Sequence, residues 1–274
     1  MNSYARLRGL ILPVALATLL GACAQVQTTQ SGVVGIDRTQ YMSSLVSEAE
    51  LEREAASQYQ ALLSQARAQK ALDRDADQVR RVQGITQRLI QQVGAFRQDA
   101  LQWNWETHVL SSDEVNAWCM PGGKIAVYTG LIQQIKPTDA ELAAVLGHEI
   151  AHALREHARE QVSRQMAAQM GVTILAAVTG SQASADLGST LSKVMFTLPN
   201  SRANETEADR IGVELAARAG YDPRAAVTLW QKMASLGGGG PEFLSTHPSS
   251  SSRIADLEQA SAKVMPLYQQ AAGK

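Results

Sequence analysis

A capped helix in the middle of the sequence limits what this chain can fold into. Thr138 and Glu141 have the spacing of a capping box, in which each side chain satisfies a backbone N–H at the start of a helix. The helix predicted from this start continues to about residue 168. It carries His148 and His152 on one face, since residues four apart are neighbours on a helix. Two imidazoles there can bind one metal ion, so another part of the chain must supply a further ligand.

Glu149 lies about 100° around the predicted helix from His148. A carboxylate at that position can reach a metal-bound water without binding the metal, which is the arrangement that metal-assisted hydrolysis uses. The same side chains also fit an ordinary solvated polar face. A buried site is favoured because the helix is otherwise apolar, with Leu142, Val145, Leu146 and Ile150.

A catalytic zinc ion has three protein ligands and one open position, so the histidine pair needs a third residue. His157 lies about 140° from His152 on the predicted helix, which places it away from the pair and at the surface. Glu205 is the better candidate, with Asp209 four residues later on the same helical face. Asp209 can accept a hydrogen bond from the distal nitrogen of a ligand histidine. Alternatively, these acids form only a charged first helical turn.

The first 22 residues predict a lipoprotein signal peptide. Arg6 and Arg8 precede an apolar run over 9–20, which is too short to span a bilayer. The run ends in a sequence that resembles a bacterial lipobox, Leu20-Gly21-Ala22-Cys23. It predicts cleavage before Cys23 and lipid attachment to that residue. The alternative is an ordinary secretory peptide in which the cysteine is incidental.

Residues 24–40 show no sustained hydrophobic period and, with the lipidated cysteine, predict a flexible tether over 23–40. Residues 41–274 predict a single, mostly helical domain. Two amphipathic helices are expected over about 42–71 and 76–97, followed by alternating strands between 103 and 129 that form a small antiparallel sheet.

Composition excludes several classes of protein. Hydrophobic residues make up 45% of the chain, which argues against disorder over most of its length. The 25 basic and 26 acidic residues nearly cancel and form no block of like charges, so no nucleic-acid partner is expected. Two cysteines cannot build a disulfide scaffold, and Cys119 is expected to be a buried apolar residue.

Several motifs together resemble the gluzincin metallopeptidases of the HtpX-like, Oma-like and CAAX-prenyl-protease group, and within it the soluble periplasmic lipoproteins. The resemblance covers about residues 80–265. The motifs that carry it are His148-Glu149-Ile150-Ala151-His152 with Glu205 and Asp209, Asn116-Ala117, Pro121-Gly122-Gly123, Tyr128-Thr129-Gly130-Leu131, and Thr246-His247-Pro248 with Arg253.

The resemblance implies an α+β, mainly α, zincin-like metalloprotease domain with a small antiparallel β-sheet beside the active-site helix. One Zn²⁺ ion would be bound by His148, His152 and Glu205, with Asp209 behind a ligand. Glu149 would take the proton from water and later deliver it to the leaving amine.

The resemblance also assigns Asn116, Ala117 and Trp118 to an edge strand beside the metal. A peptide substrate would add to this strand through main-chain hydrogen bonds, which give affinity with little sequence choice. The alternative is an ordinary edge strand without a binding role.

Two residues near the C-terminus receive catalytic roles from the resemblance. His247 would either stabilise the developing oxyanion or cap the zinc in a resting state, and otherwise it is a structural turn residue. Arg253 would hold Asp209, another carboxylate or the transition state, and otherwise it is a surface residue.

The implied function is membrane-tethered, zinc-dependent proteolysis of misfolded or stalled envelope proteins. The implied partners are unfolded substrates, the membrane through the lipid on Cys23, and the outer-membrane assembly machinery. Ala24, where an aspartate would favour the inner membrane, indicates the periplasmic face of the outer membrane. The alternatives are a non-catalytic zinc-containing chaperone or binding module with the fourth metal position closed by His247, and a zinc hydrolase with a non-peptide substrate.

Overall fold

The computed structural model describes residues 23–179, 186–235, 242–248 and 251–273, and the predicted signal peptide lies outside these ranges. The described residues are mainly helical with two small sheets, so the α+β, mainly α fold class is confirmed. In chain order the described α-helices are α1 (Glu48–Ala68), α2 (Ala76–Ile90), α3 (Asp139–Leu154), α4 (His157–Thr179), α5 (Leu187–Phe196), α6 (Arg202–Arg218), α7 (Ala225–Ser235), α8 (Glu242–Thr246) and α9 (Ser251–Ala272).

Both N-terminal helices are shorter than their apolar stripes suggested. α1 begins at Glu48, where Ser47 accepts a hydrogen bond from the backbone N–H of Glu50 and so caps the helix. α2 ends at Ile90, and the stripe expected to continue to 97 passes instead through a short 3₁₀ turn, Val93–Ala95. Tight turns of this kind keep apolar residues on the core side although the α-helix has ended.

The segment predicted as a flexible tether packs on the domain, so that prediction is wrong. Strand β1 (Cys23–Val26) pairs antiparallel with β2 (Gln40–Ser43). Between them, Val34 and Ile36 are both 2% exposed and join the main apolar core. The backbone N–H of Gln30 donates to the carbonyl of Phe96 at 2.7 Å. The buried residues of this segment are scattered over the connecting loop and β2. They therefore produce no regular hydrophobic period that the sequence could reveal.

The second sheet has three strands in the order β3–β5–β4: β3 (Glu106–Leu110), β4 (Ala117–Met120) and β5 (Lys124–Tyr128). The β4–β5 hairpin is antiparallel, and its turn needs glycine because Gly122 and Gly123 have φ values of 75° and 80°. β3 is parallel to β5, so the expectation of a purely antiparallel sheet is wrong for this pair. The hairpin returns its second strand to the centre of the sheet and leaves β4 at the edge.

The metal-site helix is shorter than predicted. α3 begins with the expected capping box between Thr138 and Glu141 but ends at Leu154 instead of about residue 168. Glu156 has a φ of 51°, a left-handed conformation that interrupts the helix before α4 begins. Because of this break, His157 is turned into the interior and is 1% exposed, so its predicted surface position is wrong.

Two glycines bring α3 and α6 into direct backbone contact. A Cβ atom added to Gly147 would lie 2.7 Å from the carbonyl oxygen of Gly212, and one added to Gly212 would lie 2.6 Å from the backbone nitrogen of His148. Any larger residue would separate the helices. This close crossing places the face of α3 that carries the histidine pair against the first turns of α6.

Across the described residues, no helix combines the length and the apolar character needed to cross a membrane. Cys119 is buried in β4, as predicted.

Candidate metal centre

Four buried side chains from three parts of the chain converge on one point. His148 and His152 come from α3, Glu205 from the first turn of α6, and His247 from the residue that follows α8. One potential ligand atom from each lies within 4.8 Å of all the others. The ring of His247 stacks on Phe243, with 4.4 Å between the ring centroids, which holds it over the site.

The distances between these atoms fit a tetrahedral zinc site. Ligands at about 2.1 Å from zinc lie about 3.4 Å from one another in a tetrahedron. The Nε2 atom of His148 is 3.1 Å from Nε2 of His152, 3.2 Å from Nδ1 of His247 and 3.5 Å from Oε2 of Glu205. Oε1 of Glu205 is 3.3 Å from Nε2 of His152 and 3.1 Å from Nδ1 of His247.

The donor set also has the right chemistry for zinc. Imidazole nitrogens and a carboxylate are ligands that zinc prefers, and each binds only in its deprotonated form. Burial lowers the pKa of His152 well below its usual value, against the opposing effect of Glu205, so the ring is neutral. The residues present therefore fit a zinc ion.

Asp209 and Arg253 orient the ligands from behind. Oδ1 of Asp209 lies 2.9 Å from Nδ1 of His148, so the carboxylate fixes the tautomer that leaves Nε2 free for the metal. Arg253 donates to both oxygens of Asp209 at 2.7 Å, and its Nη1 lies 2.7 Å from Oε2 of Glu205. Arg253 is buried, and it does not line the cleft in front of the metal ligands.

Glu149 is buried next to the ligands without being one of them. Burial raises the pKa of its carboxyl to about 8, with His148 opposing that shift and Glu205 adding to it. The backbone N–H of Cys119 in β4 donates to this carboxylate. Its Oε1 atom has no hydrogen-bond partner among the described residues and lies 3.6 Å from Nε2 of His247. A carboxyl with this pKa and a free oxygen can exchange a proton near neutral pH.

A cleft runs along β4 in front of the metal ligands. Its lining includes Trp118, Cys119, Glu149, His152 and His247. Since the N–H of Cys119 donates to Glu149, the free edge of β4 faces the cleft.

The three residues predicted as a binding edge strand lie at this edge, one residue earlier than the observed strand. Ala117 and Trp118 belong to β4, whereas Asn116 precedes it. The side-chain oxygen of Asn116 accepts a hydrogen bond from the backbone N–H of Ala117.

The contacts behind His152 were not predicted from the sequence. Nδ1 of His157 lies 2.9 Å from Nδ1 of His152, and its Nε2 lies 3.0 Å from Oε2 of Glu207. On one continuous helix, the spacing between His152 and His157 directs the two side chains apart. It therefore could not predict that they are in contact. The left-handed Glu156 is the feature that would have changed the prediction.

A family model described as "Peptidase family M48" matches residues 76–261, and that range contains all four of the converging side chains. The chain belongs to peptidase family M48. This M48 family is zinc-dependent, in agreement with the donor set.

Named relatives of this M48 chain come from several organisms. The mitochondrial metalloendopeptidase OMA1 of Arabidopsis thaliana is 43% identical over 160 residues, which cover 57% of this chain and 32% of that protein. Human OMA1 is 39% identical over 172 residues, which cover 58% of this chain and 32% of that protein. The beta-barrel assembly-enhancing protease of Escherichia coli K12 is 28% identical over 177 residues, covering 59% and 35%. The chain therefore spans about a third of the length of each of these relatives.

Proposed function

We propose that this M48 protein is a zinc-dependent endopeptidase. The observation that carries the proposal is the placement of Glu149 between the metal ligands and the free edge of β4. His148, His152 and Glu205 are the metal ligands in this proposal. When bound, zinc polarises the scissile carbonyl and lowers the pKa of water to about 7.

Glu149 is the general base and acid of the proposed reaction. Its free Oε1 atom takes a proton from the attacking water and later delivers it to the nitrogen of the leaving amine. Burial raises the pKa of this carboxyl above its usual value, which makes the group a stronger base for the first transfer. Asp209 and Arg253 hold the ligands in place, so Arg253 is a positioning residue in this account rather than a catalytic one.

The edge of β4 binds the substrate in the proposed reaction. An extended peptide pairs through its main chain with the backbone carbonyls of Ala117 and Cys119, which point away from β5. This brings the carbonyl groups of the peptide past Glu149. Binding of this kind depends little on side chains and requires an unfolded segment. The cleavage sites in an unfolded substrate should therefore share little sequence, and a strict residue requirement in the mass spectra of the products would count against main-chain binding.

A second candidate, a non-catalytic zinc module, is favoured by one observation. Nδ1 of His247 occupies the fourth corner of the tetrahedron, and closed zinc sites are structural ones. We propose instead that His247 is a removable cap, because it directly follows the five-residue helix α8 and does not lie on α3 or α6.

Substitution of the cap separates these two functions. His247→Ala is expected to raise the initial rate of casein cleavage several-fold, because it opens the fourth position, and a chelator should stop cleavage by both proteins. The measurement is gel-based cleavage at equal zinc loading. If neither protein cleaves casein although both bind zinc, the non-catalytic candidate is correct. If only the variant is inactive, His247 is a catalytic group instead of a cap.

The substrates proposed for this protein are misfolded or stalled proteins of a bacterial envelope. The lipobox-like sequence before Cys23 supports attachment to the outer membrane on its periplasmic face. One relative is named for β-barrel assembly, which supports the outer-membrane assembly machinery as a partner, whereas others are named as mitochondrial.

Location is tested by removing the attachment site. Cys23→Ser is expected to move the protein from the outer-membrane fraction to the soluble periplasmic fraction, because no acyl chain can then be attached. Cell fractionation with immunoblotting measures this. An unchanged distribution would contradict lipid attachment through this residue.

A further inference from the structure

A line of hydrogen bonds leads from His152 away from the metal ligands. The Nδ1 atom of His152 lies 2.9 Å from Nδ1 of His157, and Nε2 of His157 lies 3.0 Å from Oε2 of Glu207. All three side chains are buried, and His157 is only 1% exposed. Water therefore has little access to these contacts, and each polar atom depends on its protein partner.

The protons in this line can be assigned in only one consistent way. If Nε2 of His152 faces the metal, its proton is on Nδ1, which donates to Nδ1 of His157. The proton of His157 must then be on Nε2, which donates to the Glu207 carboxylate. Each donor has one acceptor and no two protons face each other, so the line fixes the ring of His152 in a single tautomer.

Glu207 is itself fixed by two arginines. Arg155 donates to its oxygens from Nε and Nη2 at 3.1 Å, and Arg38 donates from Nε at 2.9 Å and from Nη2 at 2.8 Å. Two guanidinium groups bonded to this carboxylate favour its charged form, in which it accepts a hydrogen bond from Nε2 of His157.

The outer end of the line lies in the N-terminal segment. Arg38 also pairs with Glu160 at 2.8 Å, and the neighbouring Gln40 donates to the backbone carbonyl of Arg155 at 2.7 Å. Both residues precede position 76, where the family match begins. The segment that folds back over the domain thus contacts the carboxylate that supports the metal site.

We propose that His157 is a positioning residue that holds His152 for metal binding, and that the N-terminal segment supports it through Arg38 and Glu207. This inference rests on His152 being a metal ligand in the proposed function. Asp209 does the same for His148 at 2.9 Å, so each ligand histidine has its own support. The two supports differ, because one is a direct carboxylate and the other is a histidine placed between the ligand and a carboxylate.

A purely structural role for the buried cluster predicts a different outcome. In that case, loss of His157 would lower the free energy of unfolding without changing the affinity for zinc. A positioning role predicts a weaker affinity for zinc in the folded protein, because the ring of His152 is no longer held in one tautomer and orientation. Loss of an outer-shell partner of a ligand histidine typically weakens metal binding by about 10- to 100-fold.

The experiment compares two histidine-to-phenylalanine variants of the full chain. His157→Phe keeps a ring but removes both nitrogens. His108→Phe removes a half-buried histidine of β3 whose Nδ1 lies 2.5 Å from Oδ2 of Asp73 and which is not among the residues of the metal cluster. Zinc affinity is measured by competition with a chromophoric chelator, and thermal unfolding is measured without metal. We expect zinc binding to weaken about 10- to 100-fold in His157→Phe and to change less than about 2-fold in His108→Phe.

Arg38→Met provides a second variant in case His157→Phe does not fold. The Arg38 side chain is 30% exposed, so its loss is tolerated more easily, and we expect zinc binding to weaken by a few fold. Unchanged zinc affinity in a folded His157→Phe, or in Arg38→Met if that is the only folded variant, would overturn the inference. If the wild-type chain itself does not bind zinc, the proposed function fails, and that result is distinct from equal affinities among zinc-binding proteins.

Discussion

Glu149→Gln is expected to slow the cleavage of an unfolded protein by about 10²- to 10⁴-fold, the usual contribution of a general base. Glutamine keeps the size of the side chain and a hydrogen-bond acceptor for the N–H of Cys119, but it cannot take a proton from water. The metal ligands are unchanged, so the variant should bind zinc as the wild type does. Casein cleavage and zinc content, measured on the same samples, test both parts.

A matched control is available in the same cleft. Glu52 lines the cleft and is half-buried, and burial raises the pKa of its carboxyl as well, but it has no contact with the metal ligands. Glu52→Gln should therefore keep kcat within a few fold of the wild-type value. If Glu149→Gln cleaved casein as fast as Glu52→Gln, Glu149 would not be the base. If it lost zinc, the loss of activity would have to be assigned to the metal instead.

The metal site could be predicted from sequence because its parts lie within regular helices. His148 and His152, like Glu205 and Asp209, are four residues apart, and a helix converts that spacing into a shared face whatever the rest of the fold does. The close contact of α3 and α6 at Gly147 brings the two faces together, but no repeating pattern in the sequence indicates that contact. The resemblance to a known family supported that pairing, and the structure places Glu205 within 3.5 Å of Nε2 of His148 and 3.3 Å of Nε2 of His152.

The contact between His157 and His152 could not be predicted from the sequence. It depends on the break after α3, and that break accompanies contacts between residues far apart in the chain. α3 ends where Arg155, whose side chain is 0% exposed, reaches across to Glu207. The guanidinium group of Arg155 also donates to the backbone carbonyl of Arg38. No local propensity marks Glu156 as left-handed, so the helical pattern continues through it. A contact between residues far apart in the chain decided where His157 points.

The N-terminal segment was misjudged for a similar reason. Val34 and Ile36 are too few to form a period, and their burial depends on a surface provided by the rest of the domain. The parallel pairing of β3 with β5 likewise depends on where the hairpin docks, which turn residues do not specify.

Glu205→Ala is expected to weaken zinc binding by more than about 100-fold, because loss of a ligand costs more than loss of an outer-shell partner. Glu205 is 1% exposed and is the one member of the four-residue cluster that comes from α6, so no neighbouring carboxylate of that helix can replace it without moving the backbone. Glu214→Ala is the matched control. This variant removes a buried glutamate from the same helix. The Glu214 side chain contacts Val34 and Arg218 but none of the metal ligands.

We expect α3 and α6 together to hold one zinc ion, and the zinc content of the wild type, Glu205→Ala and Glu214→Ala tests this expectation. After equilibration against buffered zinc, mass spectrometry of the metal should find about one zinc per chain in the wild type and in Glu214→Ala, and close to none in Glu205→Ala. A folded Glu205→Ala protein that retains one zinc per chain with wild-type affinity would contradict the account.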